Sequence, residues 1–239
     1  MKTDDVQRFE KSSRSLIDII LACGLRKAYV EEFLGKRLQK ELDDVVANPH
    51  AMEAMNALRL ILLMDFVQSL ANATFDIDRR SVSIHNIMSK LERADYKRYY
   101  LSKRSDIDAG STDSRPKNVG RHDTSLKDYE DKVERYRSLH DQIQTKWKTI
   151  KDDPAFADIK KIRNKVIAHF ELNNTDPNAK LVELSDIGMN WRDSLRLFDA
   201  ILDLSVDIYA FVLGSHYVLK NVLQLQRNWA QSISSCLVE

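Results

Sequence analysis

The stretch Ile159–Phe170, I-K-K-I-R-N-K-V-I-A-H-F, decides how the rest of the chain is read. It follows Pro154, whose fixed φ and missing N–H suit the first turn of a helix. Ile159, Ile162, Val166 and His169 are spaced three, four and three apart, so at ~100° per residue they form one stripe. The stripe is apolar until it ends in an imidazole. Arg163 and Asn164 flank it, and Lys165 lies on its other side. The spacing predicts a motif helix over about 155–170.

Two readings fit these residues. In the first, His169 is a packed or half-exposed side chain near a helix C-terminus, where the dipole favours it, and Arg163 pairs with a carboxylate such as Asp158. In the second, a titratable ring, a guanidinium and an amide on one helix form a functional group of side chains. The string Arg163-Asn164-Lys165-Val166-Ile167-Ala168-His169 resembles the signature of the HEPN superfamily, an Arg, a polar residue that is often Asn, a short spacer and a His. More narrowly, it is similar to the motif of the abortive-infection U-type branch. A second stretch, Leu58–Asp65 running on to Asp78–Ile84, resembles the long helix and the Ser-capped helix of that branch. The resemblance covers the segments around 58–92 and 154–170.

The composition agrees with a helical protein. Among 239 residues there are six glycines and four prolines, too few for a strand-and-turn architecture. The net charge of +1 predicts no general attraction to nucleic acid or anionic membrane, so RNA contact has to come from a local patch. Cys23 and Cys236 stand almost a chain length apart, and Cys23 lies in an apolar run that favours a buried, reduced thiol. The start Met1-Lys2-Thr3-Asp4-Asp5 is polar and carries no secretory signal. The most apolar segment, Leu58–Val67, is interrupted by Arg59 and Asp65 and is shorter than the ~20 residues a bilayer needs. The expected location is the cytoplasm, with no membrane partner.

Taken in order, residues 5–47 read as two helices, with Gly24 offering a stop or kink and Leu38, Leu42, Val45 and Val46 continuing the apolar face. A broadly apolar helix is expected over about 51–73, at the centre of a bundle. Ser81 or Ser83 is placed to N-cap a helix ending near Glu92. Next come Tyr96, Lys97, Arg98 and Tyr99, with interleaved rings and cations that single-stranded RNA binding uses, although a solvated basic face with packed tyrosines gives the same pattern. Residues 105–123 are polar and aperiodic and read as a mobile loop. A long helix from Ser125 to about Ile150 carries Leu139 or His140 on its apolar stripe, and Glu171–Lys180 reads as a polar loop beside the motif. Asp186 or Asn190 starts the next helix and Gly214 ends it; the tail from His216 has enough apolar residues to pack. The fold expected is all-α, a single bundle of about six to eight helices over residues 1–239, HEPN-like by resemblance.

Cleaving RNA without a metal needs a base for the ribose 2′-OH, an acid for the leaving 5′-oxygen and a cation on the phosphate. Histidine suits the proton transfers and arginine the phosphate. One motif helix supplies one His. The resemblance implies a homodimer in which two motif helices face each other, with Arg163 and His169 catalytic and Asn164 orienting the His or the phosphate. Lys165 adds positive charge. The six histidines form no zinc pattern, and no Gly-rich phosphate loop is present, so no metal and no cofactor are expected. The function implied is a metal-independent endoribonuclease of the bacterial toxin or antiphage type, with RNA, a second copy and an antitoxin protein as partners. The alternative is a HEPN-like module that binds RNA or nucleotides, or another protein, without chemistry.

Overall fold

The computed structural model describes residues 3–35, 49–76, 78, 81–110, 122–162, 190–215 and 219–236. Eight helices and no strand are found among them. They are α1 (Thr3–Phe33), α2 (Pro49–Phe75), α3 (Ile84–Leu91), α4 (Ala94–Gly110), α5 (His122–Asp152), α6 (154–162), α7 (Trp191–Leu213) and α8 (Lys220–Cys236).

Helix α1 runs unbroken through Gly24, where the sequence suggests a stop or kink. The reason lies more than 200 residues away. A Cβ on Gly24 would stand 3.0 Å from Gln226 Oε1 and 3.2 Å from Leu223 Cδ2, so the glycine lets α8 lie close against α1. The Gln226 amide donates to the Leu21 carbonyl at 3.0 Å across the same contact. The expected continuation through Leu38, Leu42, Val45 and Val46 lies outside the described residues.

Helix α2 begins at Pro49, a residue that suits a first turn. Its C-terminal half is core: Leu63, Phe66, Val67, Leu70, Ala71 and Ala73 are buried. Two of its charges, Arg59 and Asp65, have fixed partners. Arg59 is buried and donates through Nε to the carbonyl of Phe33, the last residue of α1, at 2.9 Å, and Asp65 accepts from Arg26 at 2.7 Å. Within Met52–Phe75 an 18-residue stretch has a mean hydropathy of 1.3, and by length and composition alone this helix is long and apolar enough to cross a membrane. The expectation from Leu58–Val67 understated its apolar length.

Ser83, rather than Ser81, caps α3 by accepting from the Asn86 N–H at 3.2 Å, and Glu92 is its C-cap. Helix α4 continues to Gly110 and α5 starts at His122, so both ends of the expected 105–123 loop are helical; 111–121 lie outside the described residues. Asn190 caps α7 by accepting from the Arg192 N–H at 3.1 Å, and Gly214 ends α7 with φ 70°. Arg104 donates from Nε to the Phe211 carbonyl at 3.3 Å and from Nη2 to that of Val212, satisfying the last turn of α7.

One continuous core joins the two sides of residues 111–121. It packs Phe9, Leu16 and Ile20 of α1 with Phe66 and Leu70 of α2, Tyr96 and Tyr100 of α4, Trp147 and Ile150 of α5, Ile159 of α6, and Phe198 and Phe211 of α7.

Candidate functional site

Helix α6 opens the motif segment. Asp153 is its N-cap: the carboxylate accepts from the Ala155 N–H at 2.9 Å, with Pro154 in the first turn. The same carboxylate holds Arg196 of α7 in a two-pronged pair at 2.5 and 3.1 Å. The Arg196 guanidinium and the Ala155 N–H hold the Asp153 carboxyl below the usual carboxylate range. The sequence reading takes Pro154 as a helix start but misses Asp153 as its cap; the pair Asp153-Pro154 was the signal available for it.

Inside this start, Ala155, Ile159 and Ile162 are buried, and Phe156 stacks edge-on with Phe75 at 4.3 Å and with Trp147 at 5.9 Å. The first two members of the expected stripe are therefore core residues. Asp158, one candidate partner for Arg163, pairs with Lys161 at 3.3 Å. The motif residues Arg163, Asn164, Lys165 and His169 lie outside the described residues, as do the polar loop Glu171–Lys180 and Asp186.

The second candidate group is split by the fold. Tyr96 is only 4 % exposed, packed edge-on against Phe9 at 5.1 Å, with its hydroxyl pKa pushed up by burial. It has no free face for a base to stack on. Tyr100, one turn on, is fully buried on the same stripe. Tyr99 is partly buried against Tyr100, with Lys103 Nζ 5.7 Å from its ring. Lys97 reaches Asp141 at 3.4 Å, and Arg98 is exposed. The i, i+4 spacing of Tyr96 and Tyr100 was the signal that these rings face inward. Of the four α4 residues expected to touch RNA, Tyr96 belongs to the core, Tyr99 is partly buried against it, Lys97 is half-buried and Arg98 is exposed; Lys165, the fifth, lies outside the described residues.

His140, rather than Leu139, takes the fully buried place on α5, with Nε2 3.2 Å from the Leu91 carbonyl and Nδ1 3.3 Å from Asp141. Hydrogen bonds from His140 and then Lys97 hold the Asp141 carboxyl below its ordinary range. A groove of about 580 Å³ lies between α5 and the end of α7, lined by Arg135, Tyr136, Gln142, Asp207 and Gly214. No group of three or more His, Cys, Asp or Glu is placed to hold a metal among the described residues.

Residues 14–231 match the family model HEPN_AbiU2, described as AbiU2. The chain belongs to this HEPN family. The match spans every helix described here except the first turns of α1 and the last of α8, and it includes the whole motif string from Arg163 to His169. Among the curated proteins and the solved structures compared, nothing matches. The all-α bundle is thus a HEPN-type domain in which α6, the helix just before the motif string, is capped by Asp153 and tied to α7 by Arg196.

Proposed function

We propose that this HEPN chain is a metal-independent endoribonuclease of the toxin or antiphage type, acting in the cytoplasm through a site composed from two copies. The observation that carries the reading is the Arg163-Asn164 … His169 string, which lies within the family match and follows directly on helix α6, itself anchored in the core through Ile159 and Ile162. His169 of one copy takes the ribose 2′-OH proton as that oxygen attacks phosphorus. The P–O5′ bond breaks, and the second copy's His169 gives its proton to the departing oxygen. Products are a 2′,3′-cyclic phosphate and a 5′-hydroxyl. Arg163 holds two phosphate oxygens in a fork while charge builds on them, and Asn164 orients the ring or the phosphate. Lys165, with Lys97 and Arg98 on α4, supplies attraction to the RNA backbone. A protein that covers this cleft would act as its antitoxin.

The test is RNA cleavage by the purified protein in excess EDTA, beside His169→Ala and Arg163→Ala. Loss of a positioned acid–base group is expected to lower the rate by roughly 10²–10⁴-fold. Cyclic phosphate ends that vanish in both folded variants support the reading. No cleavage by the wild type, or cleavage indifferent to both changes, refutes it.

A further inference from the structure

Helix α8 presents two apolar faces to different surroundings. One packs on α1: Ala230 is buried, Gln226 reaches Leu21, and Ser234 donates to Glu32 at 2.7 Å. The other is open. Leu225 and Ile233 are each 47 % exposed and Trp229 is 51 % exposed, with half-buried Val222 and exposed Cys236 at the ends. At 3.6 residues per turn these five lie within roughly 80° of one another, so they form a single stripe. Isolated exposed apolar residues are ordinary, but a five-membered stripe with a tryptophan at its middle is not.

The stripe is symmetric about Trp229. Leu225 and Ile233 stand four residues to either side, and Val222 and Cys236 stand seven to either side. A second α8 running antiparallel, related by a two-fold axis at Trp229, meets it in register: Trp229 on Trp229, Leu225 on Ile233, Val222 on Cys236. An isologous contact brings each group near its own copy, so any charge beside the axis would face a like charge. From 221 to 236 the one charged residue is Arg227, which the helical register puts on the side away from the stripe. The flanks are Asn221, Asn228, Ser232 and Ser235, and Asn228 accepts from Gln224 at 3.0 Å. A charge-free face with a central Trp has the composition of an interface core.

We propose that a second copy of this chain docks here, α8 against α8 in antiparallel. The contact uses none of the motif residues and does not depend on the chemistry assigned to them. One helix face is smaller than the ~800 Å² per partner of a standard interface, so the association is reversible and depends on concentration. Combined with a contact through the motif helices, it would join pairs of chains into tetramers or longer arrays.

The test is site-directed cross-linking of the full chain with a short bismaleimide, read on a denaturing gel. Val222→Cys is placed opposite native Cys236 of the other copy and is expected to give a covalent dimer. In the wild type the two Cys236 thiols would be separated by 14 residues of helix, about 21 Å, and should not link. Val222→Cys with Cys236→Ser should not link for the same reason. Adding Trp229→Asp to the linking variant should cut the dimer yield at least about tenfold, as for an anchor residue. A wild-type dimer through Cys236 would mean a parallel contact and would overturn the proposal. So would equal linking by all three cysteine arrangements, or no dimer from Val222→Cys at concentrations where the wild type sediments above a monomer.

Discussion

The start of α6 rests on two separable interactions of Asp153, and substitution can take them apart. The carboxylate caps α6 through the Ala155 N–H and pairs with Arg196 on α7. Asp153→Ala removes both. A lost N-cap costs about 1 kcal/mol. The ion pair adds at most ~1 kcal/mol, discounted because the Arg196 side chain is 60 % exposed and solvent screens it. The sum is about 2 kcal/mol, which for a chain of this size lowers Tm by roughly 4–8 °C. Asp153→Asn keeps the cap, since Asn and Asp cap equally well, and loses only the charge pair. Arg196→Ala loses the same pair from the other side. Each is expected to lower Tm by roughly 4 °C at most. Thermal unfolding of these three variants, and of Asp153→Asn combined with Arg196→Ala, closes a cycle whose coupling term should be below ~1 kcal/mol.

The pH dependence follows from the same pair. Because the folded Asp153 carboxyl lies below its ordinary range, its stabilisation is complete above the unfolded value of about 3.9. It fades as pH falls through the folded value. The gap between wild type and Asp153→Asn should therefore narrow in acid. If Asp153→Asn lowered Tm as much as Asp153→Ala, the cap would play no part and the reasoning would fail. If Arg196→Ala matched Asp153→Ala, the ion pair rather than the cap would hold the helix start.

Three further outcomes are expected. Tyr96→Ala should cost about 3–5 kcal/mol in denaturant unfolding while leaving RNA affinity of the folded fraction unchanged, whereas Arg98→Ala should weaken RNA binding at low salt without loss of stability. Gly214→Ala should destabilise by about 1–2 kcal/mol, because φ is 70° there and the new Cβ would stand 2.9 Å from Arg104 Cζ; chemical unfolding measures it. In thiol labelling at neutral pH the folded protein should react once, at exposed Cys236, and twice only after unfolding. Burial shields Cys23 and pushes its pKa up to about 12.

What the sequence made legible was local. Caps and stops announce themselves within four residues, so Ser83, Asn190 and Gly214 could be read as helix ends, and three-four spacing was enough to send Ile159 and Ile162 inward. Misreadings arose where a distant partner decides. Gly24 breaks helices in isolation, but here it admits α8, whose contacting residues come some two hundred positions later. The polar run after Arg104 lacks a stripe, yet α4 carries on to Gly110. For Tyr96 the sequence leaves both a stacking ring and a packed one open, and the residue that decides for packing, Phe9, is far off in sequence. At the site, the string from Arg163 to His169 is visible in the sequence as a motif, while the tie between Asp153 at the start of α6 and Arg196 needs α7 to be laid beside α6. A second copy leaves the weakest trace, since nothing in one chain records what faces it.

Dilution tests the proposed two-copy site most directly, because it separates the copies without altering either one. Specific RNA-cleaving activity in EDTA would be followed over a wide range of protein concentration, with the association state measured in parallel by sedimentation. Specific activity is expected to fall in step with the dimer fraction, because a lone chain brings one Arg163 and one His169 to a reaction that needs a base and an acid. A sedimenting monomer that keeps full specific activity would contradict it.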